Sequence, residues 1–343
     1  MRQLVFVGPE KLEWREVPAP TLQGAGEALV RPVVVAACDL DDALVHGKLP
    51  ISGPFPLGHE FVADLLEVGS AVRSFRPGQR VVVPFQISCG ACAECARGLT
   101  GCCSGVVPKR RAMYGLEPIG GNWGGALSDV VRIPFADAML LPVPEGVDPL
   151  AIASASDNLP DAYRTVAPHL AAQPGAPVLV VGGGARSIAL YAVAFAKALG
   201  ASRIDYLDLD AERLALAEAL GATVREGRYP ASAGRYPITV DASAHPEGLA
   251  CALRSTSNWG VCTSVGIYYG DTPVPLFEMY SGGVRFFIGR PNARADLPAI
   301  LQLVARGALR PERVTTRVAQ WEDAIDALLA GSIKTVISRE SLA

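Results

Sequence analysis

The sequence carries no surplus of positive charge and no apolar run of membrane length. Its 31 Lys and Arg face 34 Asp and Glu across 343 residues, a net charge of −3. Its basic run Lys109-Arg110-Arg111 is short, so nucleic acid is not an expected partner. Each apolar stretch meets a charge, Gly or Pro before it could span a bilayer, so no membrane partner is expected either. Residues 1–7 make too short an apolar segment for a signal peptide, and Gly8-Pro9-Glu10 ends it. A cytoplasmic location is the resulting expectation. No internal repeat or low-complexity tract is evident.

Half of the residues are hydrophobic, and the length suits two domains of ordinary size. Residues up to about 150 read as short β segments punctuated by Gly and Pro: 28–31 and 33–37 on either side of Pro32, then 61–69, then 80–84 after the turn signal Pro77-Gly78. That texture predicts a barrel-like β domain. Beyond Pro149 strands and helices alternate. Strands are predicted at 178–181, 203–208, 222–224, 238–241 and 261–265, and helices at 187–199, 211–220, 297–306 and 322–329. Short connections between them imply a parallel sheet wrapped by helices.

Eight cysteines are present, and five crowd one window: Cys89, Cys92, Cys95, Cys102 and Cys103. In a reducing compartment such clustering points to metal rather than disulfides. The run Cys89-x-x-Cys92-x-x-Cys95-x7-Cys103 offers four thiolates to one tetrahedral ion, at roughly 2.3 Å each for zinc. Four sulfurs leave no open position, so this zinc would be structural. Cys102 is the spare. Separately, Cys38 and His59 are a thiol and an imidazole at the ends of two short apolar runs. They are two of the three protein ligands an open zinc site needs, unless they are a buried cysteine and an unrelated histidine.

Strand 178–181 runs into Gly182-Gly183-Gly184 and then a helix. Such a turn lets backbone approach a pyrophosphate at a helix N-terminus. The next strand ends at Asp208, whose carboxylate is expected to accept both hydroxyls of an adenosine ribose. That favours NAD over NADP, although Arg213 nearby could attend a phosphate. Gly182 and Gly184 match the first two glycines of the fingerprint; Ser187 stands at the third, unless the loop is longer and Ala189 is the close-packing residue.

Taken together, Cys38 with Asp41, Gly58-His59-Glu60, Pro77-Gly78-Gln79-Arg80-Val81, the four-cysteine lobe and the glycine turn resemble a zinc-containing medium-chain alcohol dehydrogenase, over essentially the whole chain. The resemblance implies a GroES-like β-barrel catalytic domain, residues 1–152, a Rossmann doubly wound parallel sheet, 153–287, and a C-terminal return, 288–343, completing the catalytic domain. It implies Asp157, six residues before Tyr163, as third ligand of a catalytic zinc with Cys38 and His59. Glu60 would be an acid behind the ligands or an alternate ligand. Asp157 as a helix cap is the competing reading. Cofactor contacts are implied at Gly182, Gly184, Ala185, Arg186, Ser187, Asp208, Arg213, Val265 and Ile267, and at Lys334, which would approach the cofactor phosphates. One departure stands out: Leu40 replaces the Ser or Thr that passes the alcohol proton outward. Asp39, Asp41, Asp42, His46 or water would have to substitute.

The expected chemistry is hydride transfer between a primary or secondary alcohol, or its carbonyl counterpart, and NAD(H), assisted by one catalytic and one structural zinc. Leu40, Trp123 and residues near Ile267 are candidates for lining the substrate pocket. A formaldehyde-type or polyol dehydrogenase is the alternative, and a cofactor-binding protein or redox sensor without turnover is the alternative of another class. The resemblance further implies a homodimer or homotetramer formed through the Rossmann sheet edge, near 261–269 or 277–287.

Overall fold

The computed structural model describes residues 1–340. The chain divides into two compact units, one comprising Met1–Pro160, Asn292–Arg306 and the stretch from Thr315 onward, the other Asp161–Pro291 and Gly307–Val314. The C-terminal return is therefore shared: its segment Gly307–Val314 joins the second unit.

The first unit is built on a seven-stranded sheet. Its order is Arg317–Gln320, Thr335–Ser338, Ala28–Ala36, Glu60–Val68, Arg80–Val83 and Leu141–Pro142, with Val131–Ile133 also pairing to Ala28–Ala36. A smaller sheet joins Lys11–Glu16, Arg2–Gly8 and Phe55–Pro56. Val34, Phe61 and Val82 are fully buried, each worth roughly 1.5–3 kcal/mol relative to exposure. The sequence suggested two strands broken at Pro32. The structure instead runs one strand, Ala28–Ala36, through the proline, with a register shift between Pro32 and Val34. Proline lacks the ladder donor, and a bulge absorbs that loss.

The second unit holds six parallel strands in the order Thr223–Glu226, Ile204–Asp208, Val178–Val181, Tyr236–Asp241, Thr256–Ser264, Arg285–Ile288. Strand order reverses beside Val178–Val181, the doubly wound arrangement that offers a ligand crevice at the reversal. Helix Arg186–Ala198 is buried from Ser187 through Ala196, which its small side chains permit. Helix Ala211–Ala219 begins at Asp210, whose side chain accepts the Arg213 N–H. A β-rich unit and a doubly wound parallel sheet are thus both present, as expected from the sequence. No helix among the described residues is long and apolar enough to cross a membrane.

Candidate metal centre

Two clusters of metal-ligating side chains lie in the first unit, each with its donor atoms within 4.8 Å of one another. One is Cys89, Cys92, Cys95 and Cys103, the four residues read from spacing. The loop wraps its amides around its own sulfurs. Cys92 N–H points to Cys89 Sγ at 3.4 Å, Cys95 N–H to Cys92 Sγ at 3.5 Å, and Cys89 N–H to Cys103 Sγ at 3.4 Å. The Cys95 and Ser104 amides hold Cys92 down at about 6. Cys102, the spare, is exposed and outside the cluster.

The second cluster is Cys38, His59, Glu60 and Asp157, all buried. Strand register assembles it. Ala36 pairs with Glu60 on one side and with Val336 on the other. The Ala37 N–H then donates to the Thr335 carbonyl at 2.9 Å, so Cys38 and Lys334 both come to the end of the sheet where His59 and Glu60 sit. Gly58 introduces the histidine at φ +93°, a conformation that favours glycine, and its carbonyl accepts the Ala126 N–H at 2.7 Å. Asp157 arrives from the short 3-10 stretch Pro149–Ser156. Ser156 fastens that stretch to the sheet: its Oγ accepts the Phe61 N–H at 2.8 Å and donates to the Phe61 carbonyl at 3.1 Å. Asp157 Oδ2 then lies 3.4 Å from His59 Nε2 and 3.4 Å from Cys38 Sγ. This direction of the carboxylate favours the ligand over the helix-cap reading.

Burial and crowding set the charges. Burial pushes the Cys38 thiol well up, and the carboxylates of Asp157, Glu60 and Asp41 push it further. Burial opposes an imidazolium at His59, yet Asp41, Asp157 and Glu60 overcome it and raise the group to about 9. Burial lifts Glu60 to about 8 even with the Lys334 ammonium 2.9 Å away. A thiol, an imidazole and the Glu60 carboxyl, each clinging to its proton in one dry pocket, are what a divalent cation would reorganise, since it displaces protons from the same atoms. A donor set of one sulfur, one imidazole nitrogen and carboxylate oxygen suits zinc. Asp41 supports the set from behind. Its Oδ2 accepts the Cys38 N–H at 2.9 Å, and its Oδ1 lies 3.5 Å from His59 Nδ1. His59 Nδ1 makes no hydrogen bond to another described group.

Two residues assigned from the sequence to the cofactor are already engaged by neighbouring side chains. Lys334 is held by Glu60. Its side chain is sealed from solvent, with Nζ 2.9 and 3.1 Å from the two Glu60 oxygens. Asp208 is not open to two ribose hydroxyls. Its carboxylate already receives Tyr206 OH, the Leu209 and Asp210 amides, and Nε and an Nη of Arg213, at 2.7–3.1 Å. Those donors fill about the four lone-pair positions of a carboxylate. Burial would raise this acid, but Arg213 and Tyr206 hold it below the usual range.

The glycine turn joins strand Val178–Val181 to helix Arg186–Ala198 as read from the sequence. A side chain at residue 182 would strike Asp208 and Tyr206, and the Tyr229 hydroxyl donates to the Gly182 carbonyl at 2.9 Å. The Gly184 and Ala185 amides donate to the Ser243 and Ala242 carbonyls at 2.8 and 3.0 Å. Arg186 and Ser187 open the helix, and Ser187 is fully buried at the third-glycine position. Val265 is buried with its N–H on the Asp241 carbonyl, whereas Ile267 is half exposed. Of the pocket candidates, Leu40 and Trp123 pack partly buried against the first unit's core.

Sequence reasoning missed Ser156, the Lys334–Glu60 pair and Asn158, whose Oδ1 lies 3.2 Å from Cys38 Sγ. Ser156 and Asn158 flank a candidate ligand, which was the one available signal. The lysine's role appears only once the register is known.

Comparison with known proteins agrees with this geometry. Residues 24–145 match the alcohol dehydrogenase GroES-like domain. The solved structure of alcohol dehydrogenase TADH from Thermus sp. ATN1 superposes with a TM-score of 0.87 at 31% identity, covering 98% of this chain and 99% of that one. A zinc-type alcohol dehydrogenase B of Aspergillus flavus is 28% identical over 324 residues, 89% of this chain and 73% of that protein. A glutathione-independent formaldehyde dehydrogenase of Pseudomonas aeruginosa is 31% identical over 236 residues, 66% of this chain and 58% of that protein. The chain therefore belongs to the zinc-containing medium-chain dehydrogenase/reductase family, that of the zinc-type alcohol dehydrogenases.

Proposed function

We propose that the protein is a zinc-dependent alcohol dehydrogenase, moving hydride between a small primary or secondary alcohol, or its aldehyde or ketone, and a nicotinamide dinucleotide, with NAD preferred. The observation that carries this is the convergence of Cys38, His59, Glu60 and Asp157 in one buried cluster. Cys38, His59 and Asp157 would hold the catalytic zinc, and Cys89, Cys92, Cys95 and Cys103 a structural one. Zinc supplies a Lewis acid that makes an alcohol hydroxyl more acidic, and the nicotinamide supplies the hydride acceptor.

The chain's own residues prepare that chemistry. Asp41, 3.5 Å from His59 Nδ1, favours the tautomer with its proton on Nδ1 and leaves Nε2 as the donor. Lys334 holds Glu60 back at 2.9 Å, so Cys38, His59 and Asp157 form the inner set. Leu40 carries no exchangeable proton, so the alcohol proton leaves by another group. The turn at Gly182–Gly184 and the start of helix Arg186–Ala198 would take the pyrophosphate. NAD is preferred because Arg213, the cation at the end of strand Ile204–Asp208, is engaged by Asp208 and Asp210, which leaves a ribose 2′-phosphate without it.

The Asp157 ligand and the likeness to a formaldehyde dehydrogenase favour a second reading, oxidation of formaldehyde-type or polyol substrates by the same apparatus. Purified protein loaded with zinc, given NAD or NADP and a panel of alcohols, aldehydes and polyols, separates the readings by which member yields reduced nicotinamide. Binding of NAD with no turnover on the whole panel would overturn both and leave the non-catalytic alternative.

A homodimer is proposed through strand Arg285–Ile288, which pairs on one side only among the described residues. Phe287 and Ile288 are 51% and 61% exposed there, with Phe277 and Tyr280 nearby in the chain at 77% and 86%. An open apolar edge of this kind favours pairing with a second copy. Light scattering on the purified protein tests it, and a monomer would refute it.

A further inference from the structure

Asn158 is fully buried, follows Asp157 directly, and lies closer to the Cys38 sulfur than Asp157 does, at 3.2 against 3.4 Å. In the metal-free pocket the thiol can donate to Asn158 Oδ1. Metal binding removes that proton, because the thiolate is the ligand form. A carbonyl oxygen 3.2 Å from a thiolate repels it. A half-turn of the carboxamide exchanges its oxygen for its NH2 within the same volume and turns repulsion into a hydrogen bond.

The surroundings press toward that half-turn. Cys38, Asp41, Glu60 and Asp157 bring four acidic groups together around the Lys334 ammonium and the His59 imidazole. An N–H donor aimed at sulfur adds positive charge density among those acids. Ser156 fixes the backbone two residues earlier through Phe61, so the carboxamide is presented at a set distance.

We propose that Asn158 donates a hydrogen bond to the Cys38 thiolate in the metal-loaded protein and tunes that sulfur as a ligand. Asn158 is a positioning residue: it acts on the metal through Cys38. By drawing electron density from sulfur it leaves the ion more electron-poor, and partners behind a ligand are commonly worth about 10–100-fold in metal affinity or activity. The inference rests on the metal reading of the Cys38 cluster.

The test uses the full chain loaded with cobalt in place of zinc, wild type beside Asn158→Leu. Loss of the donor should move the thiolate-to-cobalt charge-transfer band to lower energy. It should also weaken metal binding in chelator competition by about tenfold. A band and affinity unchanged in the variant, with cobalt present at the Cys38 site, overturn this inference alone. Failure of wild-type cobalt to enter that site overturns the metal reading and this inference together. Should Asn158→Leu not fold, wild-type protein loaded with NMR-active cadmium answers the same question. Coupling between cadmium and the Asn158 side-chain amide protons, carried through the sulfur, supports the bond. Its absence refutes it.

Discussion

The two cysteine-bearing clusters are built in opposite ways. Cys89 and Cys103 are 14 residues apart, and the loop between them supplies both sulfurs and the amides that face them. Cys38 and Asp157 are 119 residues apart, and the lysine behind them is 274 residues from the acid it holds. The first cluster is all sulfur, has Cys89, Cys92 and Cys95 only half buried, and would close around an ion. The second is mixed, dry, and crowded with groups that hold their protons: the Cys38 thiol, the His59 imidazole and the Glu60 carboxyl. A short loop makes a stable clamp; distant segments meeting in a core make a reactive pocket.

Removing one sulfur from each cluster should break the pair into its two functions. Cys38→Ala is expected to lower zinc content from two per chain to one and to cut kcat/KM by about a thousandfold or more. Several kcal/mol of charge stabilisation are lost, at about 1.4 kcal/mol per tenfold. Elemental analysis and reduced-nicotinamide formation measure both. Cys92→Ala should also leave one zinc, but its principal effect is to open the loop around residues 89–103, because the metal is that loop's folding energy. Limited proteolysis would show cleavage there first. Equal loss of activity with no gain in cleavage would erase the proposed division of labour.

Lys334→Met probes the buried pocket from behind. Both members of the Lys334–Glu60 pair have 0% side-chain exposure, and stranding one partner of a buried pair costs about 3–5 kcal/mol. A fall in Tm on the order of 10 °C is expected, and Glu60→Gln in the same chain should recover part of it, as a double-mutant cycle would reveal. Additive losses would mean the two groups do not act as a pair.

Alkylation of the metal-stripped protein gives the finest contrast. The Cys95 and Ser104 amides hold Cys92 near 6, while burial drives Cys38 well above an ordinary thiol. Iodoacetamide should therefore modify Cys92 first. Its rate should fall as pH drops below about 6 and the thiolate is protonated, while Cys38 stays unmodified at neutral pH. Peptide mapping reads the order, and early labelling of Cys38 would contradict the burial that separates the clusters.

The same contrast explains what could be read from the amino acids. The cysteine loop was fully legible because its ligands are neighbours. The alternation of strand and helix made the parallel sheet legible for the same reason: each connection is local. Cys38 and His59 were legible only as a thiol and an imidazole of the right type, and Asp157 entered through resemblance to a family, since no spacing links residues brought together by strand pairing. The pairing of Lys334 with Glu60 was not legible because it is decided by Ala36 pairing with both Glu60 and Val336. Asp208 was read as open because a sequence shows an acid at a strand end but not the Arg213 and Tyr206 that close over it.

Strand Thr335–Ser338 has a consequence for how the molecule comes into being. It pairs with Ala28–Ala36 across roughly 300 residues of chain, and synthesis at ~5–20 residues per second takes about 15–60 s to cover that distance. Throughout that interval the stretch Val34–Ala36 of that strand stands open on one side and Glu60 waits in an apolar setting without its cation. A nascent chain in this condition is a natural client for chaperones and a risk for edge-to-edge aggregation. The pocket has Cys38, His59 and Glu60 from the start of that interval and lacks Lys334 until its end.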